Sequence, residues 1–128
     1  MEILSSRVVI HPEDWDACVR FYTETLGLRI YREFGSGGRT TGVVLFLGGG
    51  FLELSSGSHV ARTGPVVLWL QVPDLAAEEE RLRGRVEELI PAERKPWGLL
   101  EWWIADPDGN RLVLVEVPSD HPIRRRVS

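Results

Sequence analysis

The chain alternates between short apolar runs that suit strands and two segments whose apolar residues recur at helical spacing. In the first half, the β-branched run 7–10 predicts a strand, which ends at Pro12 because proline cannot donate to a sheet ladder. Asp14 can cap the helix predicted next, and Gly27 supplies its left-handed stop. Three more strands are predicted, at 28–34, 41–47 and 51–55. The first half therefore has the order β, α, β, β, β.

The second half repeats this order. The apolar run 65–72 predicts a strand, and Asp74 can cap a helix that ends at Gly84. Three further strands are predicted, at 85–90, 99–105 and 111–117, the last two joined by the strong hairpin-turn sequence Asp-Pro-Asp-Gly-Asn, 106–110. Corresponding elements lie roughly 60 residues apart, which indicates an internal duplication. We interpret the chain as a single domain, 1–128, with module one at about 7–56 and module two at about 65–118.

Composition narrows the class of protein. The 128 residues are 43% apolar and 27% charged, as expected for one soluble, packed domain. The formal charge is −4, and the one basic cluster, 124–126, is expected to be a frayed tail, so no nucleic-acid partner is predicted. Cys18 is the single cysteine, no apolar run approaches about 18 residues, and the N-terminus lacks a secretory pattern. A cytoplasmic protein with no membrane partner is expected.

The duplicated order and two motifs resemble the vicinal oxygen chelate superfamily, which holds glyoxalase I, extradiol dioxygenases and bleomycin-resistance proteins. One motif is Phe21-Tyr22 followed by Leu26-Gly27-Leu28, and the other is Pro96-Trp97-Gly98 followed by the 106–110 turn. The resemblance spans nearly the whole chain. It implies an α+β fold in which two βαβββ modules form curled mixed half-barrels around a cleft. It also implies a homodimer, because two chains of this family often pair to complete two clefts.

Metal-using members of that superfamily place four ligands on the first and fourth strands of each module. Aligning on the motifs puts Arg7, Glu53, Val67 and Val113 at those positions. Only the glutamate offers a donor atom, since the guanidinium of an arginine stays protonated. Because divalent-metal sites need at least three good donors, we expect no metal and no other cofactor.

Strand alternation then predicts which neighbours share the cleft. Pairing Ile104 with Val113 across the last hairpin turns Trp102 into the cleft and Trp103 toward a helix, although a bulge would exchange the two. The five tryptophans either stack on a planar ligand or fill the core. The predicted ligand-binding residues are Arg7, Val9, Phe51, Glu53, Val67, Trp69, Gln71, Trp97, Trp102 and Val113.

An apolar, tryptophan-rich cleft favours binding over chemistry, as in the bleomycin-resistance branch. The leading hypothesis is metal-free sequestration of a planar aromatic small molecule, a natural-product antibiotic, with no catalytic residue assigned; the acidic balance mildly favours a cationic ligand. The alternative is a metal-independent lyase or isomerase in which Glu53 is the general base and Arg7 stabilises an oxyanion. Arg7 and Glu53 are expected to meet, either neutralising each other or orienting a ligand. A partner-binding module without a pocket is the third interpretation.

Overall fold

The computed structural model describes residues 1–56 and 66–121. The chain divides into two compact units, 1–64 and 65–128, each with one four-stranded mixed sheet. The arginines at 124–126 lie outside the described residues. No helix in the described part of the chain has the length and apolar character needed to cross a membrane.

The first unit consists of β1 (Arg7–Ile10), α1 (Trp15–Arg20), β2 (Ile30–Ser36), β3 (Arg39–Leu47) and β4 (Gly50–Ser55). The sheet order is β1-β4-β3-β2, with β1 and β4 parallel and the other pairs antiparallel. The predicted cap is confirmed, because Asp14 Oδ1 accepts a hydrogen bond from the backbone N–H of Ala17 at 3.1 Å. The helix continues as a π-helical segment, Phe21–Thr25, before Gly27 turns the chain with φ of 77°.

The second unit repeats that topology with β5 (Val67–Gln71), α2 (Leu75–Leu82), β6 (Glu87–Arg94), β7 (Leu100–Ala105) and β8 (Arg111–Glu116). Its sheet order is β5-β8-β7-β6, with β5 and β8 parallel. Asp74 caps α2 through the backbone N–H of Ala77 at 3.0 Å. The prediction of an α+β fold built from two βαβββ modules is confirmed.

Strand β6 is longer than the predicted 85–90, which ended at Pro91. It lies at the edge of its sheet, and its pairing with β7 shifts between Ile90 and Glu93. An edge strand with such an irregularity tolerates a residue that cannot donate a hydrogen bond, so the strand continues past the proline.

The first sheet has one largely buried face. In the first unit, the buried face carries residues that are at most 2% exposed: Ile10, Val43, Leu45, Leu52 and Leu54. The helical part adds Cys18, Phe21 and Tyr22 to this core. The other face, called the open face here, carries Arg7, Val9, Tyr31, Phe46, Phe51 and Glu53. Phe46 is 40% exposed and Tyr31 is 51% exposed, so aromatic rings on this face reach solvent.

The turn between β7 and β8 sets the register of the second sheet. Asp106 N–H donates to the carbonyl of Asn110, which leaves a loop of Pro107, Asp108 and Gly109, with Gly109 at φ of 86°. Asp106 Oδ1 accepts from the backbone N–H of both Asp108 and Asn110. These hydrogen bonds fix the length of the loop, and with it the strand register, so Trp103 pairs with Val113 and Trp102 with Leu114.

Candidate functional site

Arg7 and Glu53 form an ion pair on the open face of the first sheet. Arg7 pairs with Phe51 and Val9 pairs with Glu53 across the parallel strands β1 and β4, so all four side chains share one face. Arg7 Nη1 donates to Glu53 Oε1 at 2.7 Å. The arginine side chain is 37% exposed and the glutamate side chain 15%. The predicted meeting of these two residues is confirmed.

The side chains at the four positions that the resemblance implies for metal ligands do not fit a metal ion. Arg7 and Glu53 bind each other, and neither Val67 nor Val113 has a donor atom. Within 1–56 and 66–121, no group of three or more His, Cys, Asp or Glu side chains is arranged to hold one. In the first unit these positions hold a salt bridge, and in the second unit they hold two aliphatic side chains.

Three aromatic rings form a cluster beside this ion pair. Tyr31 lies 4.9 Å from Phe51 and 5.2 Å from Phe46, measured between ring centroids, and Phe46 lies 5.6 Å from Phe51. Phe51 was predicted to line the site, whereas Tyr31 and Phe46 were not. Phe46 pairs with Phe51 across the β3–β4 hairpin. The glycine-rich turn between those strands could therefore have predicted that Phe46 lies beside Phe51. We refer to Tyr31, Phe46 and Phe51 as the aromatic cluster.

Tyr31 reaches this face because of an irregularity that the sequence does not mark. The pairing of β2 with β3 shifts between Ile30 and Arg32, which leaves Tyr31 as an extra residue in the ladder. A bulge of this kind breaks strict alternation, so Tyr31 contacts Phe46 although Arg32 beside it pairs with Val44 on the same face.

The open face extends along β2 to Phe34. The Phe34 ring lies over Gly42, where an added Cβ would stand 2.0 Å from the ring Cζ. Arg32 Cζ lies 5.8 Å from the centroid of the Phe34 ring, and Arg29 Cζ lies 5.8 Å from that of Phe46. Two guanidinium groups therefore stand over aromatic rings at cation–π distance.

In the second unit, Trp69 and Trp103 lie on one face, since each pairs with Val113 from a neighbouring strand. The prediction that Trp102 faces the site and Trp103 packs under a helix is wrong. It assumed that Ile104 pairs with Val113, whereas Ile104 pairs with Leu112. Trp102 instead points to the opposite face, is 3% exposed, and donates its indole N–H to Glu88 Oε2 at 2.8 Å.

The remaining predicted residues of this unit differ in accessibility. Val67 is 55% exposed and Trp69 49%, and Gln71, two residues further along β5, is also exposed. Val113 shares their face but is 2% exposed and packs with Leu99, Val115, Val117 and Trp103. It belongs to the hydrophobic core of this unit and presents little surface to a ligand.

A buried carboxylate holds two of the tryptophans. Glu101 is 7% exposed, and it accepts hydrogen bonds from Trp97 Nε1 at 2.8 Å and from Trp103 Nε1 at 3.3 Å, one on each oxygen. Trp97 is nevertheless 58% exposed. The sequence analysis did not single out Glu101. Glu101 lies two residues before Trp103 on the same strand, so strand alternation could have placed the two side chains on the same face.

A shallow depression open to solvent lies at the tip of the β2–β3 hairpin and is lined by residues 33–40. None of the predicted ligand-binding residues lines it. Its wall is made largely of glycine and polar side chains, so we place the candidate site on the sheet faces instead.

A sequence comparison identifies the family. The Glyoxalase/Bleomycin resistance protein/Dioxygenase superfamily matches residues 5–114. No protein of curated function matches this chain in sequence.

Solved structures share the fold. TioX from Micromonospora sp. ML1 is 20% identical, with a TM-score of 0.75 over 89% of this chain and 98% of its own. TnmS3, an antibiotic binding protein from Streptomyces sp. CB03234, is 21% identical, with a TM-score of 0.74 over 91% and 98% of the two chains. A superfamily member from Sphaerobacter thermophilus DSM 20745 is 25% identical, with a TM-score of 0.71 over 90% and 98%. Because the family match covers most of its length, this chain belongs to the glyoxalase/bleomycin resistance protein/dioxygenase superfamily.

Proposed function

We propose that the protein binds and sequesters a planar aromatic small molecule, a natural-product antibiotic, without using a metal. The observation that carries this proposal is the aromatic cluster, which lies beside the Arg7–Glu53 pair on an open sheet face, with Tyr31 and Phe46 51% and 40% exposed. Aromatic side chains offer flat apolar surface for stacking, and binding sites combine such surface with a few polar groups that orient the ligand. The mutual ring contacts hold the cluster in place, which reduces the entropy lost on binding.

The second unit supports the same function. Trp69 and Trp97 are each about half exposed, at 49% and 58%. The Trp97 N–H already donates to Glu101, so its ring is left to offer stacking surface. One protein of similar fold, TnmS3, is an antibiotic binding protein, which supports the choice of ligand class.

The ion pair supports binding more than proton abstraction. Glu53 Oε1 already accepts a hydrogen bond from Arg7, whereas the guanidinium keeps further N–H groups for a ligand acceptor. Arg7 and Glu53 are thus the polar contacts that would orient a ring system stacked on the neighbouring aromatic cluster. The enzyme hypothesis needs Glu53 to leave this pair and take a proton from the substrate.

Thermal-shift screening against planar polycyclic antibiotics tests the binding proposal. A ligand present at 100 times its Kd stabilises the folded state by about 2.7 kcal/mol, which this assay resolves. Phe46→Leu removes a stacking ring, with an expected loss of about 0.5–1.5 kcal/mol in binding free energy. The control is Val8→Ala, a change at 38% exposure on the other face of the sheet, which should leave binding unchanged. Equal effects of both substitutions on affinity would contradict the proposed site.

Glu53→Gln separates sequestration from catalysis. If the protein only binds, this variant keeps most of its affinity and the bound compound is recovered chemically unchanged. If wild-type protein converts a bound compound and Glu53→Gln does not, the enzyme alternative is correct and sequestration is wrong.

We also propose that the protein is a homodimer, as its family resemblance implies. Light scattering on the purified chain should give twice the mass of one chain. A mass equal to that of one chain, at the concentrations used for binding, would contradict this proposal.

A further inference from the structure

The charged side chains of the open face are mostly positive. The strands of the first sheet present Arg7, Arg32 and Glu53 on this face, and Arg29 lies directly before β2 with its guanidinium over the Phe46 ring. Glu53 is paired with Arg7, so the formal charges of these two cancel. The guanidinium groups of Arg29 and Arg32 remain as excess positive charge beside the aromatic cluster.

Neither of these two arginines is ion-paired within the described parts of the chain. Each is exposed, and each lies 5.8 Å from the centroid of a ring on this face. A guanidinium over a ring face keeps its N–H groups at the ring's edge, where they can reach an acidic group on a ligand stacked nearby. Arginine is also the side chain best matched to carboxylate and sulfonate groups, which it binds through two parallel hydrogen bonds.

We infer that this face selects planar aromatic anions, with the ring system stacked on Tyr31, Phe46 and Phe51 and the acidic group held by Arg29 and Arg32. This inference rests on the proposed function and adds the charge of the ligand to it. The formal net charge of −4 favours cations, but charges far from the site are screened over about 8–10 Å at ordinary salt concentrations. The local charge of the binding face therefore decides the preference.

Three fluorescent pyrene compounds of matched ring system provide the test: 1-pyrenesulfonate, 1-pyrenemethanol and 1-pyrenemethylammonium. The full-length protein is titrated with each. The sulfonate is expected to bind most tightly, and its affinity should fall as salt rises from about 0.05 M to about 0.5 M, whereas that of the neutral alcohol should not fall. Phe46→Leu should weaken all three.

Arg29→Gln and Arg32→Gln are expected to weaken the sulfonate about two- to five-fold each, in line with exposed charge pairs, and to leave the alcohol unchanged. The matched control is Arg20→Gln, the same change of charge on the exposed end of α1, which should alter neither affinity.

The outcomes separate the two proposals. If the alcohol or the ammonium compound binds as tightly as the sulfonate, or if Arg29→Gln, Arg32→Gln and Arg20→Gln act alike, anion selection is wrong while aromatic binding stands. If none of the three pyrenes binds, the proposed function fails, and this inference fails with it.

Discussion

Trp69 and Trp103 lie on the same face of the second sheet, on either side of Val113, because each pairs with that valine across a neighbouring strand. Trp102, one residue before Trp103, lies on the other face in the core. The two adjacent tryptophans therefore lie on opposite faces of the sheet. Substitutions of Trp102 and Trp69 can distinguish the contributions of the two faces to stability.

Trp102→Phe should destabilise the protein by about 1–3 kcal/mol, because it removes ring atoms from a residue that is only 3% exposed. Trp69→Phe, at a residue 49% exposed, should change stability by no more than about 0.5 kcal/mol. Urea denaturation monitored by circular dichroism measures both. Similar losses for the two variants would mean that Trp69 is also a core residue.

Glu101→Gln should destabilise the protein by about 1–3 kcal/mol, although the change is nearly isosteric. Each carboxylate oxygen accepts an indole N–H, so the amide must turn its NH₂ group toward one of the two donors. When Trp97 is replaced by Phe, the glutamine can turn its NH₂ group away from Trp103. The stability loss caused by Glu101→Gln should then be smaller.

The control for Glu101 is Glu87→Gln on the exposed edge strand β6, expected within about 0.5 kcal/mol of wild type. An equal cost of Glu101→Gln in both backgrounds would show that the two indoles do not determine the effect.

Alanine substitutions at Gly35 and Gly42 compare a clash with backbone and a clash with a side chain within one hairpin. At Gly42 an added methyl meets the far end of the Phe34 ring at 2.0 Å, and at Gly35 it meets the backbone oxygen of Arg39 at 1.9 Å. The ring can move and the paired backbone cannot, so Gly35→Ala should lower the free energy of unfolding more than Gly42→Ala does. For Gly42→Ala we expect a loss of about 1–3 kcal/mol.

Phe34→Ala should reduce the stability loss caused by Gly42→Ala and should not reduce the loss caused by Gly35→Ala. The free energies of unfolding of the two double variants measure this. If Phe34→Ala relieves neither substitution, the ring does not lie over Gly42 in solution.

The Arg7–Glu53 pair should contribute modestly to stability, because the arginine side chain is 37% exposed. A double-mutant cycle with Arg7→Gln and Glu53→Gln is expected to give a coupling of about 0.2–1 kcal/mol. That coupling should shrink in about 1 M salt, where the screening length is about 3 Å. A coupling that persists unchanged in high salt would show that hydrogen-bond geometry outweighs charge in this pair.

The order of elements follows from local sequence signals. Helix caps at Asp14 and Asp74, left-handed glycines and the periods of apolar residues depend only on near neighbours in the chain, so they could be interpreted without a structure. The Arg7–Glu53 contact was also predicted, but through the family resemblance, which implied that both residues occupy metal-ligand positions of one cleft. The sequence by itself thus determined the duplicated α+β fold, and the family resemblance added the meeting of Arg7 with Glu53.

Only the tertiary structure decided which aromatic rings reach the open faces. A shift of one residue in strand pairing exchanges the two faces of a strand, and the three-residue loop between Asp106 and Asn110 places Trp103, not Trp102, beside Val113. The bulge in β2 likewise brings Tyr31 to Phe46 and Phe51. Register and bulges depend on hydrogen bonds between strands distant in sequence, which is why composition and periodicity did not determine them.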